Sequence, residues 1–218
     1  MKKLNIQNFP LNIELIPKGW VVSDLNSITD QVNSGFASGE HNQSEVGVSH
    51  LRPMNINRKG KLDLSTIKYV DPLKNSKRLK LGDILFNNTN SPPLVGKTCV
   101  ININKDLAFS NHMTSIRVSD GISSNYLSYY LNFLWMSGYF LNICSKHVNQ
   151  ASISTDILKE SIPILIAPSF EQKKIGKILE TQFTIIDSIE LNLSIIQKNL
   201  KRLKASVLKL HLTTSCMY

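Results

Sequence analysis

The chain has 218 residues, of which 42% are hydrophobic and 19% charged, and its formal net charge is +9. That length and apolar content suit one sizeable core, or one domain with an appendage, and exclude global disorder. The cysteines at 99, 144 and 216 are odd in number and far apart. They supply neither a CxxC metal pair nor a disulfide framework, and reduced thiols in a cytoplasm are the expectation.

Residues 1–19 read as a leader, with Pro17 and Gly19 marking entry to the fold; they lack the apolar core and cleavage site of a signal peptide. Short β-prone runs bounded by Gly, Pro and Asn follow at 46–56, 81–88, 95–103 and 112–119, and a last one at 161–167. Helices are expected near 124–145, capped by Ser124 or Asn125, and near 155–160, capped by Ser154 or Thr155. Residues 126–144 carry no charge and nearly reach membrane-spanning length. Ser128, Asn132, Ser137 and Asn142 interrupt them at helical spacing, so a buried helix is expected and no membrane partner. These elements predict a mixed α/β (α+β) domain over residues 1–168, without fixing its strand order.

At Pro168 the pattern changes. Ser169-Phe-Glu-Gln172 has the form of a capping box, and Glu171 complements the positive end of the helix dipole. From there a 4-3 spacing selects Ile175, Leu179, Gln182, Ile186, Ile189, Leu193, Ile196, Leu200, Leu203, Val207 and Leu210. Only Gln182 is polar, and it either sets register or is simply solvated. A helix over 169–212 is predicted, with a frayed tail at 213–218. At 1.5 Å per residue, 171–210 alone make a rod of roughly 60 Å. A domain of about 150 residues is only roughly 35 Å across, so the stripe needs another long helix, expected from a second chain.

Charge is placed unevenly. Residues 52–80 hold nine Lys or Arg against Asp63 and Asp71, and Lys198, Lys201, Arg202, Lys204 and Lys209 have no acid among them. Such clusters suit a polyanion, most simply nucleic acid, or else form a solvated basic surface. Several enzyme motifs fail. Gly96-Lys97-Thr98 ends like a phosphate-binding loop, but Ser91 stands where its first glycine belongs and Pro92-Pro93 remove two amides. Asn90-Ser-Pro-Pro-Leu94 lacks the aromatic residue of an adenine-methyltransferase tetrapeptide, and no glycine-rich cofactor loop accompanies it. The five histidines show no HxxxH spacing, and no metal is expected.

A set of short motifs in fixed order carries more. Pro17-Lys-Gly-Trp20, Asn33-Ser-Gly35, "LRPMNI" at 51–56, "LKLGDILFNNTNSPPLVGKTCV" at 79–100 and "NYLSYYL" at 125–131 lead to Ser152-Ile-Ser154, Leu158, Ile162-Pro-Ile164, Pro168, Glu171-Gln172, Ile175 and Leu179. With the basic helix ending in "LKRLKASVLK", this pattern resembles the DNA specificity subunits of type I restriction-modification systems over residues 16–210. The resemblance implies a target recognition domain and a spacer helix. A full subunit carries that unit twice, so this chain looks like half of one. It further implies a homodimer reading an interrupted palindrome in double-stranded DNA, with separate modification (methyltransferase) and restriction subunits as partners. S-adenosylmethionine would bind the methyltransferase, leaving no cofactor and no catalytic residue here.

Under that resemblance, loop-borne candidates for reading bases are Arg52, Asn55, Asn57 and Arg58; Asn87, Asn88, Asn90 and Ser91; and Lys146, His147, Asn149, Gln150 and Ser152. Asn-rich loops also simply make turns. Lys74, Lys77, Arg78 and Lys80 are candidates for phosphate contacts, and the cluster at 198–209 either follows the DNA backbone or forms an exposed flank. Three other readings stay open: a coiled-coil adaptor with an incidental basic surface, a small enzyme acting on nucleic acid, and an inert truncated specificity subunit.

Overall fold

The computed structural model describes residues 4–39, 46–71 and 77–214, with Thr213 and Thr214 by backbone only. They fall into two compact units, one ending at Lys173 and one beginning at Lys174. In chain order the first unit runs β1 (Val21–Ser23), β2 (Thr29–Ser34), β3 (Val48–Leu51), β4 (Lys68–Val70), β5 (Ile84–Asn87), β6 (Thr89–Asn90), β7 (Thr98–Val100), β8 (Leu107–Phe109) and β9 (Met113–Val118). It continues with α1 (Ser124–Met136), α2 (Tyr139–Ile143), β10 (Ser145–Lys146), β11 (Ala151–Ser152), α3 (Thr155–Glu160) and β12 (Ile164–Ile166). The helix α4 (Ser169–Thr214) starts in this unit and makes up the second.

The central sheet has the order β2-β9-β5-β7, all antiparallel. A second sheet, β4-β3-β8, joins β3 to β8 in parallel. β5 is buried at every residue, which explains why Ile84-Leu-Phe86 is a continuous apolar run rather than an alternating one. Leu85, with Cys99 and Met113 from the neighbouring strands, packs against Leu51, Leu107 and Phe109 of the second sheet. Phe86, on the opposite face of β5, meets Phe140 of α2 edge-on at 5.3 Å between ring centres. Burying either ring stabilises the fold by roughly 2 kcal/mol. Gly96 supports that contact, because a Cβ there would strike the Phe140 ring.

The expected helix at 124–145 is two helices. Ser123, one residue before the expected caps, accepts a hydrogen bond from the Tyr126 amide. Gly138, at φ 79°, then takes a left-handed conformation that breaks the helix before α2 resumes. Tyr126, Leu127, Tyr130, Leu131 and Leu134 form its buried stripe. The Tyr126 hydroxyl donates to the Leu165 carbonyl at 2.7 Å and that of Tyr130 to Pro163 at 3.0 Å, tying α1 to β12. No helix among the described residues is long and apolar enough to cross a membrane.

The segment expected to hold a capping box works differently. The carbonyl of Pro168 accepts from the amides of Glu171 and Gln172, so Ser169 already lies inside α4. Gln172, 2% exposed, accepts from the Ser123 amide at 2.8 Å and donates to the Ala167 carbonyl at 2.8 Å. It fixes the start of α4 against the cap of α1 instead of closing on its own helix. Glu171 accepts from the Trp20 indole at 2.9 Å.

Candidate nucleic-acid interface

Four exposed candidate readers, Lys146, His147, Asn149 and Gln150, sit on a small β-ribbon. β10 and β11 pair with Ser145 opposite Ser152 and Lys146 opposite Ala151, and the His147 amide donates to the Gln150 carbonyl at 2.7 Å across the tip. Buried Ala151 and Ile153 anchor the root, while every residue from 145 to 150 is exposed. β11 also pairs with β6, placing Ala151 opposite Asn90. Two groups of candidates some fifty-five residues apart in sequence thus share one three-stranded sheet.

Asn90 belongs to a second feature as well. It lines an open cavity of about 580 Å³ together with His50, Arg52, Lys97, Asn111 and His112. The described lining contains two cations and two histidines but no carboxylate, an environment suited to an anion. The Arg52 Nε is buried with no hydrogen-bond partner among the described residues, while its Nη2 lies 3.3 Å from the Met54 sulfur. Lys97, the lysine of the failed phosphate-loop motif, is 5% exposed and donates to the carbonyls of Ile56 and, at 3.3 Å, Pro53. It holds the turn that carries Arg52. Burial, and secondarily the nearby charge of Arg58, lower its pKa.

Three candidates expected on loops are buried scaffold residues. Asn55, 2% exposed, donates to the Asp63 and Thr66 carbonyls at 2.8 and 2.9 Å and accepts from the Arg52 amide. Asn87 lies within β5 and donates to the Leu94 carbonyl, and Asn88 donates to Asn111 and Thr114. Their amides satisfy neighbouring backbone and hydroxyl groups, so they present nothing to a base edge. Asn57 accepts from the amides of Lys59 and Lys61 in a turn beside exposed Arg58. Ser91, half-buried, follows Asn90 and donates its amide to the Asn90 side chain; Ser152 stays within β11.

Of the phosphate candidates, Lys74 lies outside the described residues. Lys77 donates to the Ser34 carbonyl at 2.6 Å, and Arg78 pairs with Asp106 at 2.9 Å. Lys80 is exposed. No sequence motif marks His50, Lys97, Asn111 and His112 as cavity residues; the pairings of β3 with β8 and of β5 with β7 and β9 bring them together. No group of three or more His, Cys, Asp or Glu among the described residues is placed to hold a metal ion.

In the second unit the predicted seam is continuous through α4. Ile175 and Leu179 are half-buried; from Gln182 on every seam position is exposed, with Ile189 at 51% and Leu203 at 60%. At 1.5 Å per residue the 46-residue helix is about 69 Å long.

A mixed-sheet unit followed by a long helix is the arrangement the motif order implied. The family model for the type I restriction modification DNA specificity domain matches residues 17–204. The chain belongs to this family. A Methanocaldococcus jannaschii protein described as a type I restriction enzyme MjaX specificity subunit is 29% identical over 189 residues, 84% of this chain and 44% of that one. Among solved structures, a chain from work on complex assembly and conformational transition of the type I R-M system gives a TM-score of 0.70 at 20% identity, covering 91% of this chain and 47% of that one. The HsdS subunit from Thermoanaerobacter tengcongensis gives 0.62 at 20% identity, covering 84% and 42%. The specificity-domain chain therefore shares their mixed-sheet and long-helix fold and spans about half the length of these relatives.

Proposed function

We propose that this specificity-domain chain is a non-catalytic reader of double-stranded DNA in a type I restriction-modification system. One recognition unit contacts a half-site through the β10–β11 ribbon and the rim of the cavity. Two copies pair through the α4 seam, so that identical units read an interrupted palindrome. The dimer bridges methyltransferase and restriction subunits in the cytoplasm, and S-adenosylmethionine binds the methyltransferase.

The observation that carries this reading is the meeting, at Asn90, of a solvent-exposed polar ribbon and a cavity with no described carboxylate. Hydrogen-bonding side chains on a narrow ribbon suit base edges, and a cationic recess beside it suits the phosphates that position them. The exposed seam supports the pairing, since an apolar stripe of this length is stable in water chiefly when another helix covers it.

Methylome sequencing of a host with the cognate methyltransferase, with and without this chain, tests the proposal. A bipartite palindromic motif modified only when the chain is present is expected. Methylation indifferent to the chain would overturn it. DNA binding indifferent to sequence, with the methyltransferase still captured, would favour a coiled-coil adaptor instead.

A further inference from the structure

The tip of the ribbon carries a residue that folding does not require. Val148 is 98% exposed, so its side chain adds nothing to the core. It occupies one of the two central positions of the turn closed by the His147 amide and the Gln150 carbonyl. Tight hairpin turns favour Asn, Asp and Gly there, and a β-branched apolar side chain has no conformational advantage. Around it Lys146, His147, Asn149 and Gln150 are exposed and polar. A single stiff apolar group is thus held at the apex of a ribbon whose other exposed side chains are all polar or charged.

The major groove admits a two-stranded β-ribbon, and the apolar feature on its base edges is the C5 methyl of thymine. Val148 has few rotamers to lose when it is fixed against such a methyl. We infer that Val148 reads the C5 methyl of a thymine in the recognised half-site, while Asn149 and Gln150 take the flanking base edges and Lys146 a phosphate. This rests on the DNA-reading function proposed above and adds a base class and a residue to it. The other occupant that an exposed valine fits, an apolar patch on the methyltransferase, is separated by the same experiment.

The full chain, assembled with its methyltransferase, is titrated with duplexes carrying the methylome-derived motif in which each thymine in turn is replaced by deoxyuridine. That exchange removes one methyl and leaves pairing intact. The wild-type complex is expected to bind about fourfold more weakly at one thymine of each half-site, the loss of one buried methyl. Val148→Ser is expected to bind the thymine and uracil duplexes equally with unchanged melting temperature, and Val148→Ile to retain the discrimination. Wild-type binding insensitive to deoxyuridine at every position, a motif without thymine, or Val148→Ser keeping the wild-type preference would each overturn the inference. So would Val148→Ser releasing the methyltransferase while the preference persists, which would assign the valine to the protein partner. Absence of any sequence preference with unmodified duplexes would instead remove the DNA-reading function itself.

Discussion

Asn55 and Asn149 place the same side chain in opposite circumstances. Asn55 is buried and bonds three backbone groups around the turn that carries Arg52. Replacing it with Ala strands two carbonyls and one amide, and a loss of about 2 kcal/mol in urea unfolding is expected. Asn149, exposed at the ribbon tip, should behave conversely. Asn149→Ala is expected to change stability by less than about 0.5 kcal/mol and to relax base preference at one motif position by about tenfold, read by binding to a randomised duplex library. The sequence could not separate these two residues, because the chemistry that makes asparagine a base reader also makes it a turn former. Burial decides, and burial here depends on pairings between distant strands. Asp83 and Arg117 show the same dependence. Their bidentate pair, at 2.8 Å for both bonds with Asp83 2% exposed, joins β9 to the turn before β5. Asp83→Ala leaves that guanidinium without its carboxylate, and a loss of about 3 kcal/mol is expected in the same assay.

At the scale of elements, legibility follows the strength of the periodic signal. The eleven-position spacing of α4 is long enough to specify the helix without tertiary help, and β5, β7, β9 and β12 lie within β-prone runs bounded by turn residues. β10 and β11 have two residues each and little apolar content, so nothing local distinguishes them from loop. The ribbon exists because Ala151 and Ile153 are buried at its root and β6 offers an edge. The sequence was therefore clearest for the long helix α4 and faintest for the ribbon proposed to touch DNA. The seam makes its own prediction. Ile196, 61% exposed within the chain, becomes buried if two helices pair. Ile196→Glu then places a charge in an apolar interface, and dimerisation measured by sedimentation should weaken by at least about a hundredfold. Folding of the first unit should be unaffected, because that residue belongs to the second.

The whole molecule should respond to its surroundings as two units, and its chromophores make this measurable. Both tryptophans, Trp20 and Trp135, belong to the first unit, whereas α4 contributes much of the helical circular dichroism. If two copies pair through α4 as proposed, dilution below the dissociation constant of that dimer is expected to reduce helical signal without shifting tryptophan emission. Alkaline pH should act on the first unit. Burial raises the Tyr126 and Tyr139 hydroxyls to about 12, raises Tyr130 as well, and pushes the Cys99 thiol to about 12. Above about pH 9 the unfolded chain releases these protons while the folded one keeps them. The folded state then binds more protons, and stability falls as pH rises toward 12. Lys97, whose pKa is lowered, works in the opposite sense below its ordinary value of 10.5, but one lysine stands against three tyrosines and a cysteine. Urea midpoints followed by tryptophan emission should thus decline from pH 9 to 11, accompanied by the ultraviolet signature of tyrosinate on unfolding. A midpoint that stayed level over that range would mean that these hydroxyls ionise in place, and that the α1–β12 contacts made by Tyr126 and Tyr130 contribute little to holding the recognition unit together.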